Sequence, residues 1–111
     1  MDEQTRRGVR IRELRKARRL TQEELAGRSE LAPETISALE RGENRPSMKT
    51  LESLATAFAM PVHDLIAYID DPDDTPRRRL EREIQDLCRQ LDDKALELVR
   101  GQVGCVVAFR S

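Results

Sequence analysis

Few residues of the 111-residue chain have the types and spacing that catalysis or metal binding needs. His63, the only histidine, precedes Asp64, but no serine or cysteine nucleophile forms a recognisable motif with this pair. Cys88 and Cys105 are not spaced as metal ligands. The acids of "DDPDD", residues 70–74, lack the spacing and the glycine of a calcium-binding loop. We therefore expect no enzyme activity, no metal and no cofactor.

Polar side chains at the starts of two predicted short helices offer a different chemistry. Gln22 lies at a helix N-terminus, where free N–H groups and the positive end of the helix dipole attract phosphate. Glu34 can accept a hydrogen bond from cytosine N4, and Thr35 can offer its methyl group to thymine or its hydroxyl to phosphate. Alternatively, Glu34 is only a favourable charge in the first helical turn and contacts nothing.

The charge of the chain is unevenly distributed. The formal net charge is −1, so no global basic excess indicates a nucleic acid partner. Residues 1–19, however, hold eight arginines or lysines against three acids, whereas residues 70–74 hold four acids and no base. A basic end and an acidic middle indicate one face that meets a polyanion. The alternative is a solvated helix face.

The composition also indicates the cellular compartment and the class of fold. With 37% charged and only 3% aromatic residues, the chain is typical of a helical protein with a thin core. No apolar run approaches the roughly 20 residues of a membrane span, and no signal-peptide core follows Met1. We expect a cytoplasmic protein without membrane contact, in which both cysteines are reduced and serve as small hydrophobic residues of helices.

Start and stop signals divide the first 69 residues into five short helices. The first is predicted over residues 9–19, and Thr21 with Glu24 forms a capping box that starts the second. Pro33 opens the third helix, which Gly42 ends by tolerating left-handed dihedrals. The residues predicted to face the core are Ile11, Leu14, Leu25, Ala26, Ile36, Leu39, Leu51, Leu54, Ala55, Phe58, Val62, Leu65 and Ile66.

Residues 70–76 are predicted to be an acidic linker, and residues 77–111 a helical hairpin. Each of its helices carries an apolar stripe, and a two-helix hairpin cannot bury both stripes within itself. We expect the hairpin to form a homodimer; the alternative is that it docks another protein, as an antitoxin docks its toxin. The expected dimerisation residues are Leu80, Ile84, Leu87, Leu91, Leu96, Val99, Val103 and Val106.

Three segments occur in a fixed order: "LTQEELA", "TISALERGENRPS" and "TLESLATAF". From Ile11 to Leu65 the chain thereby resembles the helix-turn-helix domain of the phage Cro/repressor (XRE-like) family. The resemblance implies an all-α fold, with a five-helix lambda-repressor-like domain over residues 1–69 followed by the hairpin. It also implies a transcriptional regulator, typically a repressor, that binds a near-palindromic operator in double-stranded DNA as a homodimer. The rival interpretation is an antitoxin-like or adaptor module that binds DNA secondarily.

The resemblance further implies roles for individual residues. The family's recognition helix, which lies in the major groove, falls at residues 33–40, and the preceding helix at residues 22–29. Arg15 and Glu40 match a buried pair that ties the first helix to the recognition helix, so we expect both to be structural. The positions expected to contact DNA are Gln22, Pro33, Glu34, Thr35, Ser37, Ala38, Arg41, Asn44 and Arg45.

This chain departs from the family at three turns. Arg19, Glu30 and Ala59 stand where the family commonly has glycine. A residue with a Cβ atom that is forced to positive φ costs on the order of 1 kcal/mol. We expect these turns either to be strained or to follow slightly different paths.

Overall fold

The structure, a computed structural model, describes residues 1–110. These residues form helices and turns without a strand, so the predicted all-α class is confirmed. The residues up to Asp74 form one compact unit, and those from Thr75 onward form a second. The helices are α1 Glu3–Ala17, α2 Gln22–Ser29, α3 Pro33–Glu40, α4 Met48–Ala57, α5 Val62–Asp70, α6 Pro76–Arg89 and α7 Asp93–Arg110.

Local sequence signals explain why α2 and α3 begin where they do. The Thr21 hydroxyl accepts a hydrogen bond from the Glu24 N–H at 3.0 Å, and the Glu24 carboxylate accepts one from the Thr21 N–H at 3.0 Å. This capping box was predicted and is confirmed. The backbone hydrogen bond from Thr21 lowers the pKa of the Glu24 carboxyl. Pro33 takes the first position of α3, as predicted.

Helix α1 is longer at its N-terminus than the sequence indicates. It begins at Glu3, where Asp2 caps it by accepting a hydrogen bond from a backbone N–H at 2.7 Å. The predicted start at residue 9 was therefore wrong, because residues 3–8 contain no apolar residue whose spacing would reveal a helix. Gly8 lets this part of α1 approach the end of α3, since a Cβ atom there would lie only 2.5 Å from the Glu40 carbonyl oxygen.

The core of the first unit lies among α1 to α5. Most of the residues predicted to face inward do so, although Val62 and Ile66 are only partly buried. Leu20, Met60 and two residues late in α5 were not predicted and are buried as well. The buried core residues are Ile11, Leu14, Leu20, Leu25, Ala26, Ile36, Leu39, Leu51, Leu54, Ala55, Phe58, Met60, Leu65, Tyr68 and Ile69.

Several arginines of α1 and of its C-terminal cap contact groups of the first unit rather than solvent alone. Arg7 donates a hydrogen bond to Asp70 at 2.5 Å, and this contact raises the pKa of its guanidinium. The fully buried Arg10 donates to two carbonyl oxygens at the end of α5. Arg18 donates to the Phe58 carbonyl oxygen at 3.0 Å and lies over the ring. These three arginines therefore make internal contacts, and the basic face that meets a polyanion stays a prediction. The basic residues of this segment that are exposed are Arg12, Lys16 and Arg19.

Each of the first four helices is followed by a turn of the same type. A residue with positive φ follows each helix: Arg19 at 56°, Glu30 at 58°, Gly42 at 73° and Ala59 at 56°. The next residue's N–H then bonds a carbonyl five residues earlier, which is the Schellman motif. Three of the turns thus keep the left-handed path without glycine, and these three are strained.

The second unit exposes its apolar side chains. Thr75 caps α6 by accepting a hydrogen bond from the Arg78 N–H. The stripe of Leu80, Ile84, Leu87 and Leu91 is 38% to 59% exposed, and α7 has no buried residue.

The cysteines and the length of the helices were considered in the sequence analysis. Both cysteines are free thiols; Cys88 is partly buried and Cys105 is exposed. Among residues 1–110 no helix combines the length and the apolar character needed to cross a membrane.

We expect Ala59→Gly to increase the free energy of unfolding by up to about 1 kcal/mol, because glycine adopts positive φ without steric cost. The Ala59 side chain is exposed, so little packing is lost. Ala67→Gly is the matched control: it makes the same change at an exposed position inside α5 and is expected to destabilise by about 1 kcal/mol. Urea unfolding measures both. A loss of stability in both variants would contradict strain at this turn.

Candidate nucleic-acid interface

Helix α3 is held in place by a buried ion pair. Arg15 of α1 donates to both carboxylate oxygens of Glu40, at 2.7 and 3.0 Å, and a third donor reaches the Leu20 carbonyl oxygen at 2.8 Å. Gln22, the first residue of α2, donates to the same Glu40 carboxylate at 3.1 Å. The hydrogen bond to Glu40 raises the pKa of Arg15. One carboxylate thus joins three helices.

Helix α3 has one apolar side that is buried and one polar side that is accessible to a partner. Ile36 and Leu39 point into the core and are buried. The opposite side is polar and accessible, with Pro33 and Glu34 exposed at its start. The remaining α3 residues that were predicted to contact DNA, all partly buried, are Thr35, Ser37 and Ala38.

The end of α3 carries a polar cluster. The Arg41 guanidinium donates to one Glu43 oxygen from Nη2 at 2.6 Å and from Nε at 3.1 Å, and from Nη1 to the Ser37 hydroxyl. The hydrogen bond raises the pKa of Arg41 and lowers that of the Glu43 carboxyl. Ser37 and Arg41 were predicted at this surface, whereas Glu43 was not. A signal was present: a charged residue directly after Gly42 occupies a position at which Schellman turns commonly place an apolar residue.

Asn44 and Arg45 lie between α3 and α4 and are exposed. Within residues 1–110 the Arg45 side chain has no hydrogen bond or ion pair, so its charge is available to an external anion. The structure thus places all nine residues predicted to contact DNA on α3, at the N-terminus of α2 and in the segment after α3.

An eight-residue helix with an accessible polar side, preceded by a second eight-residue helix that packs against it, defines a helix-turn-helix module. The family model described as helix-turn-helix matches residues 11–65. The chain belongs to this family of DNA-binding transcriptional regulators, which is not a class of enzymes.

Several proteins named as regulators or repressors are similar to this chain in sequence. The HTH-type transcriptional regulator DdrOP3 of Deinococcus deserti is 37% identical over 78 residues, which cover 70% of this chain and 60% of that protein. The immunity repressor protein of Bacillus phage phi105 is 37% identical over 59 residues, 53% of this chain and 41% of the repressor. An uncharacterized HTH-type transcriptional regulator of Archaeoglobus fulgidus is 39% identical over 63 residues, 57% of this chain and 90% of the relative. The chain therefore spans less than two thirds of the first two relatives.

We expect Arg15→Met to lower the free energy of unfolding by about 3–5 kcal/mol, because it leaves the buried Glu40 carboxylate without its counter-ion. Adding Glu40→Leu removes the stranded charge, so the double variant is expected to be more stable than Arg15→Met alone. The control is Arg12→Met, the same change at an exposed site of α1. Urea unfolding at neutral pH gives all three values. Equal losses for Arg15→Met and Arg12→Met would contradict this role.

Proposed function

We propose that this transcriptional regulator is a repressor that binds a near-palindromic operator as a homodimer, with α3 in the major groove. The observation that carries the proposal is the polar side of α3, which is accessible while its apolar side is fixed to the core by Ile36, Leu39 and the Arg15–Glu40 pair. A recognition helix must be both exposed and rigidly held, because base contacts depend on position. The name of the phi105 relative, an immunity repressor, favours repression.

Base readout in this proposal rests on few side chains. Glu34, Ala38 and Arg41 follow one another along α3 at spacings of four and three, which places them on one side of the helix. Glu34 can accept from cytosine N4, Thr35 can contact a thymine methyl, and Ala38 offers only apolar contact. Because direct contacts are few, the shape of the DNA contributes to selection as well.

Phosphate contacts in this proposal flank α3 on both sides. Gln22 uses one amide hydrogen for Glu40, and its second amide hydrogen remains for a phosphate beside the N-terminus of α2. On the other side, Arg45 and Asn44 are exposed. Such contacts position the protein on the duplex without reading sequence.

The exposed stripes of α6 and α7 support a homodimer. Eight apolar side chains on these helices are more than half exposed, among them Leu87 and Val103. An exposed apolar area of this kind marks an interaction surface. A second copy is the favoured partner, because a symmetric dimer brings two copies of α3 to two half-sites about 34 Å apart. Joining two copies of the DNA-binding unit in one dimer also makes the second half-site contact intramolecular.

We expect Thr35→Ala to alter the preferred base at one operator position, whereas Arg45→Ala weakens binding to all sequences about equally. Loss of one phosphate contact also reduces the slope of log affinity against log salt by about 0.9. Selection on randomised half-sites and titrations between 50 and 200 mM salt provide the measurements. Arg100→Ala removes an exposed charge from α7 as the control. Unchanged base preference in both Thr35→Ala and Glu34→Ala would contradict the role of α3.

We expect Leu87→Asp to convert the dimer into a monomer and to weaken operator binding, because a symmetric interface buries the introduced charge twice. Gln85→Asp adds the same charge at an exposed position of α6 outside the stripe and is expected to leave the dimer intact. Light scattering reads the mass, and titration reads the affinity. A wild-type protein that is monomeric alone and binds a second protein through this stripe would favour the adaptor alternative.

A deletion of the second unit provides an independent form of this test. It is best made after Asp74, because Tyr68 and Ile69 belong to the core of the first unit and Arg10 pairs with Asp74 at 3.5 Å. This truncated protein is expected to fold, to be monomeric and to bind the operator weakly. Truncated protein that remains dimeric would place the dimer interface in the first unit.

A further inference from the structure

The Arg41–Glu43 pair joins residues two apart in sequence, which do not face each other on a helix. The reversal of the chain at Gly42, with φ of 73°, brings Glu43 back beside Arg41. The Glu43 N–H then bonds the Ala38 carbonyl oxygen at 3.0 Å, which fixes the backbone of Glu43 to the last turn of α3. The backbone that carries this carboxylate is therefore held by the helix end itself.

The equivalent position in the other three turns has a different character. Leu20 and Met60 follow the positive-φ residues of their turns and are buried, and Leu31 is partly buried against the core. Only at the end of α3 is this residue charged and exposed. The usual role of the position, an apolar contact with its own helix, is thus replaced here by an ion pair.

The hydrogen bonds of Arg41 leave a defined set of donors. A guanidinium has five N–H groups, one on Nε and two on each terminal nitrogen. Glu43 takes the Nε hydrogen and one on Nη2, and Ser37 takes one on Nη1. One N–H remains on each terminal nitrogen. An arginine that presents one N–H from each terminal nitrogen can donate to the O6 and N7 acceptors of guanine in the major groove.

We propose that Glu43 is a specificity-determining positioning residue that holds Arg41 for a base edge and withholds it from phosphate. The inference rests on the proposed role of α3 in DNA recognition. A carboxylate beside Arg41 cancels much of its attraction to the backbone, and that attraction dominates binding to any sequence. The remaining pair of donors keeps its geometry because Ser37 and Glu43 hold the guanidinium from two sides.

The test compares full-length Glu43→Gln with wild type on two duplexes, an operator selected by wild type and a duplex of random sequence. Releasing Arg41 adds a phosphate contact, so binding to random DNA is expected to tighten and its salt slope to steepen by about 0.9 for each subunit bound. Between 50 and 200 mM salt this corresponds to a roughly 3.5-fold larger loss of affinity per subunit. The ratio of operator affinity to random-sequence affinity is expected to fall.

Two further variants separate this role from simpler ones. Glu52→Gln makes the same charge change at an exposed site of α4 and controls for net charge. If Glu43 acts through Arg41, adding Glu43→Gln to Arg41→Ala has no further effect on the salt slope. Thermal unfolding of each variant checks that the fold is retained.

The outcomes distinguish this inference from the proposed function. If Glu43→Gln matches Glu52→Gln in both slope and affinity ratio, the inference is overturned. A steeper slope that persists in the Arg41→Ala background also overturns it, because Glu43 would then act on phosphate directly. If wild type itself binds operator and random DNA equally, the proposed function fails instead.

Discussion

The position of α3 depends on the carboxylate of Glu40. An isolated eight-residue helix does not persist in water, and the two buried apolar residues of α3 fix its distance from the core more firmly than its rotation. Hydrogen bonds are directional, so the donors from Arg15 and Gln22 set the angle at which α3 presents its polar side. The pair contributes little net stability compared with apolar residues of the same volume, and its value lies in this orientation.

Arginines of α1 and of its C-terminal cap also hold neighbouring helices through polar contacts. The core comprises only fifteen buried side chains, and polar contacts at helix ends supplement it. Arg10 and Arg18 satisfy carbonyl oxygens at the ends of α5 and α4, respectively, and thereby join them to α1. A count of basic residues therefore overstates the charge that the first unit presents to a polyanion.

Local signals allowed much of the first unit to be predicted. The capping box at Thr21, Pro33 and the turn at Gly42 each act within a few residues, so the starts of α2 and α3 and the turn after α3 followed from these signals, while the bounds 22–29 and 33–40 were implied by the family resemblance. The start of α1 also carries a local signal, the N-cap Asp2, but no apolar spacing follows it to reveal the helix. Distant contacts stabilise this part of α1 as well: Gly8 lies beside the end of α3, and Arg7 bonds Asp70, 63 residues away. The Arg41–Glu43 pair depends on a reversal of the backbone that helical spacing does not describe.

The four similar helix ends show how packing decides where glycine is needed. Positive φ alone does not exclude other residues, since Arg19, Glu30 and Ala59 adopt it with their side chains exposed. At Gly42 a second constraint is added: a Cβ atom would lie 3.0 Å from the Gln4 carbonyl oxygen, which belongs to α1. Strain of about 1 kcal/mol at the other turns leaves their paths unchanged. At the end of α3, a side chain would shift α1 relative to the helix that it orients, so the turn beside the polar side of α3 favours glycine for two reasons, the positive φ and the close approach of α1.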